Sequence, residues 1–357
     1  MPKITGFTVR PVTVPLVIPH KTASGTLEVA PLVLLDIETD ADVTGIAYAF
    51  TYTPIALKPL AGLLKNIETL AVGMSLAPRD VKAALEARFR LLGVQGMVAM
   101  ALSTIDMALW DATAKIAGQP LATHLGAAPR PIPVYDSLGQ MSPDETARQV
   151  EASLNAGFRA FKVKAGHPDP GVDAAVIRAM RKVAGADAWA AMDFNQAFAP
   201  VEAIQRMRIL DAAQPDWLEE PVMFHDHAGH AEVRAAVQTP IQTGENWWGI
   251  ADMCASIAAG ASDLVMPDAM KIGGVSGFID AAALATVHNL PMSSHLFAEV
   301  SVHLLAATPT AHKLEWMDVA GPVLAESPKI ADGMIHPLPG PGNGMIWDET
   351  AIGRFAG

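Results

Sequence analysis

The chain of 357 residues carries 25 Lys and Arg against 37 Asp and Glu, for a formal net charge of -12, with 51% hydrophobic residues and a single cysteine, Cys254. This apolar content excludes global disorder, the lone thiol excludes an intrachain disulfide framework, and the acidic balance without a basic run excludes nucleic acid and anionic membrane surfaces as partners. No secretory core stands in residues 1–10 and no apolar stretch approaches the ~18 residues of a membrane span, so the expectation is a cytoplasmic globular protein of two domains.

Residues 4–17, 32–38 and 43–52 read as strands, rich in β-branched and aromatic side chains. Helical patterns follow at 54–70, 81–90 and 97–117, the last punctuated by Gly118 and Pro120. Strands followed by helices predict an α+β domain over residues 1–126. The apolar stretch 97–109 predicts a face for assembly into a homo-oligomer.

From 131 to 316 the rhythm changes. Short apolar runs recur at 133–135, 161–163, 189–192, 217–218, 240–242, 264–266, 291–292 and 313–314, with Ala-rich helical stretches such as 172–183, 201–213, 274–287 and 300–307 between them. Nearly every run ends in a polar residue: Ser137, Lys164, Asp193, Glu219, Glu245, Asp268, His295 and Glu315. Eight strand–helix units of this length predict an α/β protein built on a parallel (β/α)₈, TIM-like barrel, whose strand carboxyl ends face the site. The remaining segment, 317–357, holds the Pro/Gly-rich stretch 338–344 and is expected to return to the first domain and complete it as a cap.

The chemistry at those strand ends is coherent. Asp193, Glu219 and Glu245 come from three successive strands and would repel one another unless a hard divalent cation joined them, for which all-oxygen ligation favours Mg²⁺. A single strand-end acid more often forms a salt bridge or caps a helix; three in phase argue otherwise. Lys162 and Lys164 share one face of a strand, and mutual repulsion predicts a lowered pKa for one of them, suiting a general base. His295 and Asp268 match an imidazole held by a carboxylate. His225, His227 and His230 have metal-like spacing but lie on a mobile loop-to-helix segment, where soft nitrogen ligands would compete with a much better oxygen site.

The strings Phe161-Lys-Val-Lys, Asp193-Phe-Asn-Gln, Trp217-Leu-Glu-Glu-Pro, Thr243-Gly-Glu-Asn-Trp, Met266-Pro-Asp-Ala-Met-Lys-Ile-Gly-Gly, Met292-Ser-Ser-His-Leu-Phe and Leu314-Glu resemble the mandelate racemase branch of the enolase superfamily over nearly the whole chain. The resemblance implies that Asp193, Glu219 and Glu245 hold Mg²⁺ against a substrate carboxylate. It makes Lys164 the base on one face of the substrate and His295, paired with Asp268, the base on the other. Lys162, Ser137 and a protonated Glu315 would contact the carboxylate, and Asn195 would touch the hydroxyl or brace the ligands. Lys271 is a rival base, set aside because it stands on the opposite strand parity to Asp268.

The resemblance further implies a mobile lid loop over residues 19–30, turning at Ser24, Gly25 and Thr26. Leu27, Phe50, Tyr52, Leu296 and Met317 would wall the pocket, although ordinary packing explains any one of them equally well. His20 stands where the resemblance implies an aliphatic lid residue, and Trp316 where it implies arginine. These two departures turn the expectation from mandelate toward a more polar or differently shaped 2-hydroxy acid. The expected partner is therefore a small-molecule carboxylate, and the expected activity racemisation or epimerisation at its α-carbon. The alternatives are an acid-sugar dehydratase and a carboxylate-binding homologue without catalysis.

Overall fold

The computed structural model describes residues 1–22 and 25–356. Strands β1 (Ile4–Thr22), β2 (Gly25–Thr39) and β3 (Thr44–Phe50) form an antiparallel sheet in that order. The first two run farther than their composition suggested, because pairing continues through His20↔Leu27 to Thr22↔Gly25. The segment expected as a lid loop is thus the end of a two-stranded ribbon; Ser24 lies outside the described residues. The register slips between Pro15 and His20, where Pro15 and Pro19 have no N–H to give the ladder.

Helices α1 (Pro54–Ala71), α2 (Pro78–Arg88), α3 (Gly96–Ile116) and the short α4 (Leu121–His124) follow. Every side chain of α3 from Val98 to Leu109 is buried, because β3 covers one side of the helix and barrel helices cover the other. The apolar stretch 97–109 is therefore absorbed by the fold itself and leaves no free face for a second copy; only Met97 stays exposed, at 43%.

The second unit runs β4 (Ile132–Leu138), α5 (Pro143–Asn155), β5 (Ala160–Lys164), α6 (Pro170–Ala184), β6 (Trp189–Asp193), α7 (Pro200–Leu210), β7 (Leu218–Glu219), α8 (His227–Ala236) and β8 (Ile241–Thr243). It continues through α9 (Ile250–Ala259), β9 (Leu264–Val265), α10 (Ala269–Ile272), α11 (Gly274–Val287), β10 (Met292–Ser294), α12 (Ala298–Ala306) and β11 (Ala311–Trp316). Strands β4 to β11 are parallel neighbours in sequence order, and β11 pairs back onto β4 through Leu314↔Val134 and Glu315↔Tyr135. This closes the eight-stranded barrel that the spacing predicted. Its floor is aromatic: Trp217 meets Trp189 at 4.6 Å and Tyr135 at 5.5 Å between ring centroids, so the interior below the site is filled rather than hollow.

The final segment adds a hairpin, β12 (Ile330–Ala331) with β13 (Met334–Ile335), alongside β4, and ends in α13 (Glu349–Phe355). It reaches the first sheet and α3 through several polar contacts. Trp347 Nε1 donates to Asp36 at 2.7 Å, Arg10 pairs with Glu349 at 2.8 Å, and Asn343 donates its main-chain N–H to the buried Asp111 at 2.7 Å. Asp111 also accepts from Ile46 N at 2.8 Å, so one carboxylate joins β3, α3 and the carboxyl-terminal segment. Among the described residues no helix is long and apolar enough to cross a membrane.

A second buried acid links sheet to barrel: Tyr48 on β3 donates its hydroxyl to Glu299 on α12 at 2.8 Å. Burial pushes Glu299 from 4.5 up to about 7, against the lowering effect of that hydrogen bond. The folded state therefore keeps a proton that the unfolded chain releases above pH 4.5. The associated stability is complete below that pH and is lost as pH rises to about 7, by about 3 kcal/mol in total. Denaturant titrations of the wild type and Glu299→Gln between pH 4.5 and 7 are expected to diverge, with the Gln variant lacking this decline; parallel pH profiles would show that Glu299 titrates normally.

Candidate active site at the mouth of the barrel

The residues found at the ends of the apolar runs converge at one end of the barrel. Lys164, Asp193 and Glu219 are the last residues of β5, β6 and β7, and Ser137 and Glu315 lie one residue before the ends of β4 and β11. Glu245, Asp268 and His295 stand just past β8, β9 and β10. Gly244 makes the turn before Glu245 possible: its φ is +136°, and a Cβ there would come within 2.9 Å of Met266 N.

The ligand-capable oxygens of Asp193, Glu219 and Glu245 all lie within 4.8 Å of one another, and the three residues are buried. Among the described residues they are the one group suited to a metal ion. Neighbours fix their orientation. Asn195 donates its main-chain N–H to Asp193 at 2.8 Å and its amide at 3.2 Å, Trp217 Nε1 donates to Glu219 at 3.0 Å, and Asn246 donates to Glu245 at 3.0 Å. An all-oxygen, buried, negatively charged cluster fits a hard divalent cation. The histidines at 225, 227 and 230 form no such group: the His230 ring meets only the Asp226 carbonyl, at 3.1 Å, on the outside of the barrel.

Lys162 is fully buried, 2.7 Å from Glu219, 2.8 Å from Glu315 and 3.7 Å from Asp193. Lys164 pairs with Asp193. Burial alone would lower both lysines, but Glu219 and Glu315 hold Lys162 well above its usual range, and Asp193 raises Lys164 in spite of Lys162. The lowered lysine expected from the Lys-x-Lys spacing is therefore not found, because surrounding carboxylates outweigh the repulsion between the ammonium groups.

Glu315 also departs from expectation. Burial favours its neutral form, but Lys162 and His295 overcome that and hold the carboxyl ionised, well below the usual carboxylate range. Burial and the neighbouring acids push Glu219 up instead, even with Lys162 beside it.

On the other side of the triad, His295 Nδ1 lies 2.6 Å from Asp268 Oδ2, and His295 Nε2 lies 3.2 Å from Glu245. Burial lowers His295, but Glu245, Glu315 and Asp268 reverse this and raise it. Asp268 is itself held as the N-cap of α10, accepting from Met270 N at 2.7 Å and Lys271 N at 3.2 Å. Because the chain turns helical here, strand parity does not apply past Asp268, and Lys271 does reach the cavity. Its ammonium is already committed, to Asn246 at 2.7 Å and to the face of the Tyr52 ring at 4.7 Å.

Above the triad lies a cavity of about 400 Å³, the size of a small-molecule site. All the pocket residues expected from the sequence line it: His20, Leu27, Phe50, Tyr52, Ser137, Asn195, Leu296 and Met317. Gln196 and Asn246 also line it and were not expected, as does Lys271, the rival base set aside on parity; Asn246 was legible only as the neighbour of Glu245. Trp316 faces a second cavity, on the other side of His20 and Ser137. Backbone strain gathers at the mouth: Tyr52, Asn195, Gln196 and Leu296 have φ of +58°, +45°, +65° and +49°, a region that costs a residue with a side chain about 1–3 kcal/mol.

Comparison with known proteins places this geometry. Residues 4–126 match the mandelate racemase/muconate lactonizing enzyme N-terminal domain, and residues 145–351 match the enolase C-terminal domain-like family. The chain belongs to the enolase superfamily, in its mandelate racemase/muconate lactonizing group. The crystal structure of an enolase from Bradyrhizobium, complexed with magnesium and mandelic acid, is 44% identical and superposes with a TM-score of 0.96 over 100% of this chain and 99% of the other. An enolase from the alpha proteobacterium BAL199 with bound magnesium is 37% identical, with a TM-score of 0.97 over 100% of both chains. The L-talarate/galactarate dehydratase of Salmonella typhimurium LT2 is 35% identical over 73% of this chain, a match that spans 66% of that protein.

The donor set generates a test independent of turnover. Asp193→Asn and Glu245→Gln are each expected to weaken Mn²⁺ binding by about tenfold or more, followed by the paramagnetic signal of the free ion, whereas Asp280→Asn at the surface leaves it unchanged. Unaltered affinity in both triad variants would exclude these carboxylates as ligands.

Proposed function

We propose that the protein is a Mg²⁺-dependent racemase or epimerase that moves the α-proton of a 2-hydroxy carboxylate. The observation that carries this reading is the placement of two proton carriers at opposite ends of one carboxylate triad: Lys164 against Asp193, and His295 against Glu245 at 3.2 Å. Removing a proton next to a carboxylate places a second negative charge on an anionic group, so the site must stabilise charge that grows during the step. Mg²⁺ held by Asp193, Glu219 and Glu245 would draw electron density from the substrate carboxylate and its hydroxyl.

The chain's own residues supply the remaining chemistry. Lys162, fully buried beneath the cavity and held by Glu219 and Glu315 at 2.7 and 2.8 Å, would stabilise the same charge through its positive field. Ser137 Oγ is buried without a hydrogen-bond partner among the described residues, free to donate to a substrate carboxylate. Glu315 anchors Lys162 at 2.8 Å and accepts the Leu296 N–H at 3.3 Å, so its role is to fix the cationic side of the site. With the Asp193 carboxylate turned to a bound cation rather than to Lys164, that lysine would take or return the proton at one face and the His295 imidazole at the other, with Asp268 fixing the ring's orientation. Two carriers on opposite faces allow removal on one side and return on the other, which inverts the α-carbon.

A second reading is favoured by the 35% identity to a dehydratase named for talarate and galactarate. With a substrate that carries a hydroxyl on its β-carbon, His295 as imidazolium would protonate that hydroxyl after Lys164 removes the α-proton. Water then leaves, and the enol product tautomerises to a 2-keto acid.

In ²H₂O with Mg²⁺, both hands of a suitable 2-hydroxy acid are expected to exchange their α-hydrogen. Lys164→Ala should slow exchange from one hand by about 10³-fold, and His295→Asn should do so for the other. Nuclear magnetic resonance follows the exchange, polarimetry the inversion and a hydrazone assay any keto acid. Exchange untouched by either substitution would refute the assignment of bases, and keto acid without inversion would select the dehydratase.

A further inference from the structure

His20 is 7% exposed, lines the cavity above the triad, and its Nε2 has no hydrogen-bond partner among the described residues. No step derived above uses this nitrogen. Its position is set by main-chain contacts rather than by chance packing of a loop. His20 pairs with Leu27 across the ribbon, and the next residue, Lys21, accepts the Gln140 N–H at 2.8 Å. The ribbon and the turn after β4 approach closely: a Cβ on Gly139 would come to 3.0 Å from Lys21 N. The ring is therefore docked over the cavity by a fitted backbone contact.

The charged groups that face it are Lys164, Glu315, Lys162 and Asp193, which puts the imidazole on the Lys164 side of the substrate space. Burial, then the Lys164 charge, lowers its pKa from 6.5 to about 3, so it presents a neutral ring at ordinary pH. A neutral ring nitrogen matches a hydroxyl, which can donate or accept; it gives a second carboxylate no charge to pair with. A hydrocarbon side chain placed against it would leave the nitrogen buried and unpaired, which disfavours binding.

We propose that His20 is a specificity-determining residue that hydrogen-bonds a hydroxyl on the carbon next to the α-carbon, so that the site prefers 2,3-dihydroxy carboxylates to their 3-deoxy counterparts. This rests on reading the cavity as a 2-hydroxy acid site. The hydroxyl recognised is compatible with either proton return or water loss, and His20 takes no part in the bond changes of either.

The test uses the full chain loaded with Mg²⁺ and a matched pair of ligands, 2-hydroxybutyrate and the stereoisomers of 2,3-dihydroxybutyrate, with affinities measured by calorimetry. The wild type is expected to bind at least one dihydroxy isomer about tenfold or more tightly than the monohydroxy acid. His20→Val should reduce that preference to within about twofold, and His20→Gln, which keeps a donor and an acceptor, should retain part of it. Equal affinities in the wild type, or a preference that survives His20→Val, would overturn the proposal. Separately, α-hydrogen exchange is followed on the same ligands: a dihydroxy preference that depends on His20 without any exchange would uphold the recognition and sink only the proton-transfer reading.

Discussion

A fully buried ammonium group sets the terms for the barrel mouth. Lys162 has no access to solvent, and removing such a charge from water costs several kcal/mol unless paired groups offset it. Glu219, Glu315 and Asp193, from three other strands, surround it, and the Tyr135 ring lies 5.3 Å below. Each carboxylate drawn in to satisfy Lys162 creates the same difficulty with the opposite sign. Lys164, Lys271 and His295 answer part of it, but the buried acids Asp193, Glu219, Glu245, Asp268 and Glu315 still outnumber the cations. The excess is negative and concentrated at the triad, which is why a divalent cation is the natural complement of this arrangement. Binding chemistry and structural electrostatics are here one problem, solved by the same residues.

The sheet and the barrel meet around α3, buried along its middle against both. One polar link, Tyr48 to Glu299, crosses the same boundary, and Asp111 ties α3 to β3 and to the carboxyl-terminal segment through Ile46 and Asn343. This matters to the site because the cavity is shared. His20, Leu27, Phe50 and Tyr52 come from the first unit, and Lys164, Glu245 and His295 from the second. The proton-moving groups are barrel residues, while the part of the wall that meets the rest of the substrate belongs largely to the sheet. Selectivity can thus change on one unit without disturbing the charges of the other.

The barrel and its strand-end residues were legible in the sequence because both rest on periodicity. Apolar runs mark the strands, and the residue closing each run points to the mouth whatever the local packing. The misreadings arose where that regularity stops. Lys271 was set aside by strand parity, yet Asp268 caps a helical turn there and the alternation no longer holds. The resemblance implies a loop over 19–30, turning at Ser24, Gly25 and Thr26, although long-range pairing of β1 with β2 makes residues 20–22 and 25–27 a ribbon. The protonation of Lys164 and Glu315 depends on which charges face them across the barrel, and no spacing along the chain records that. Asn246 and Gln196 carry no signal beyond adjacency to a strand end.

The positive φ angles at Tyr52, Asn195, Gln196 and Leu296 mean that the backbone is least at ease where the substrate would sit. Glycine at any of these positions would relax the chain, but it would also remove a side chain that shapes the cavity or, at Asn195, braces Asp193. Selection for thermal endurance alone would be drawn to these positions, and the hardier proteins it returned would have blunter sites. In this fold, endurance and recognition are antagonists at a handful of known residues, and a programme to harden the protein would do well to fix those residues first and search elsewhere.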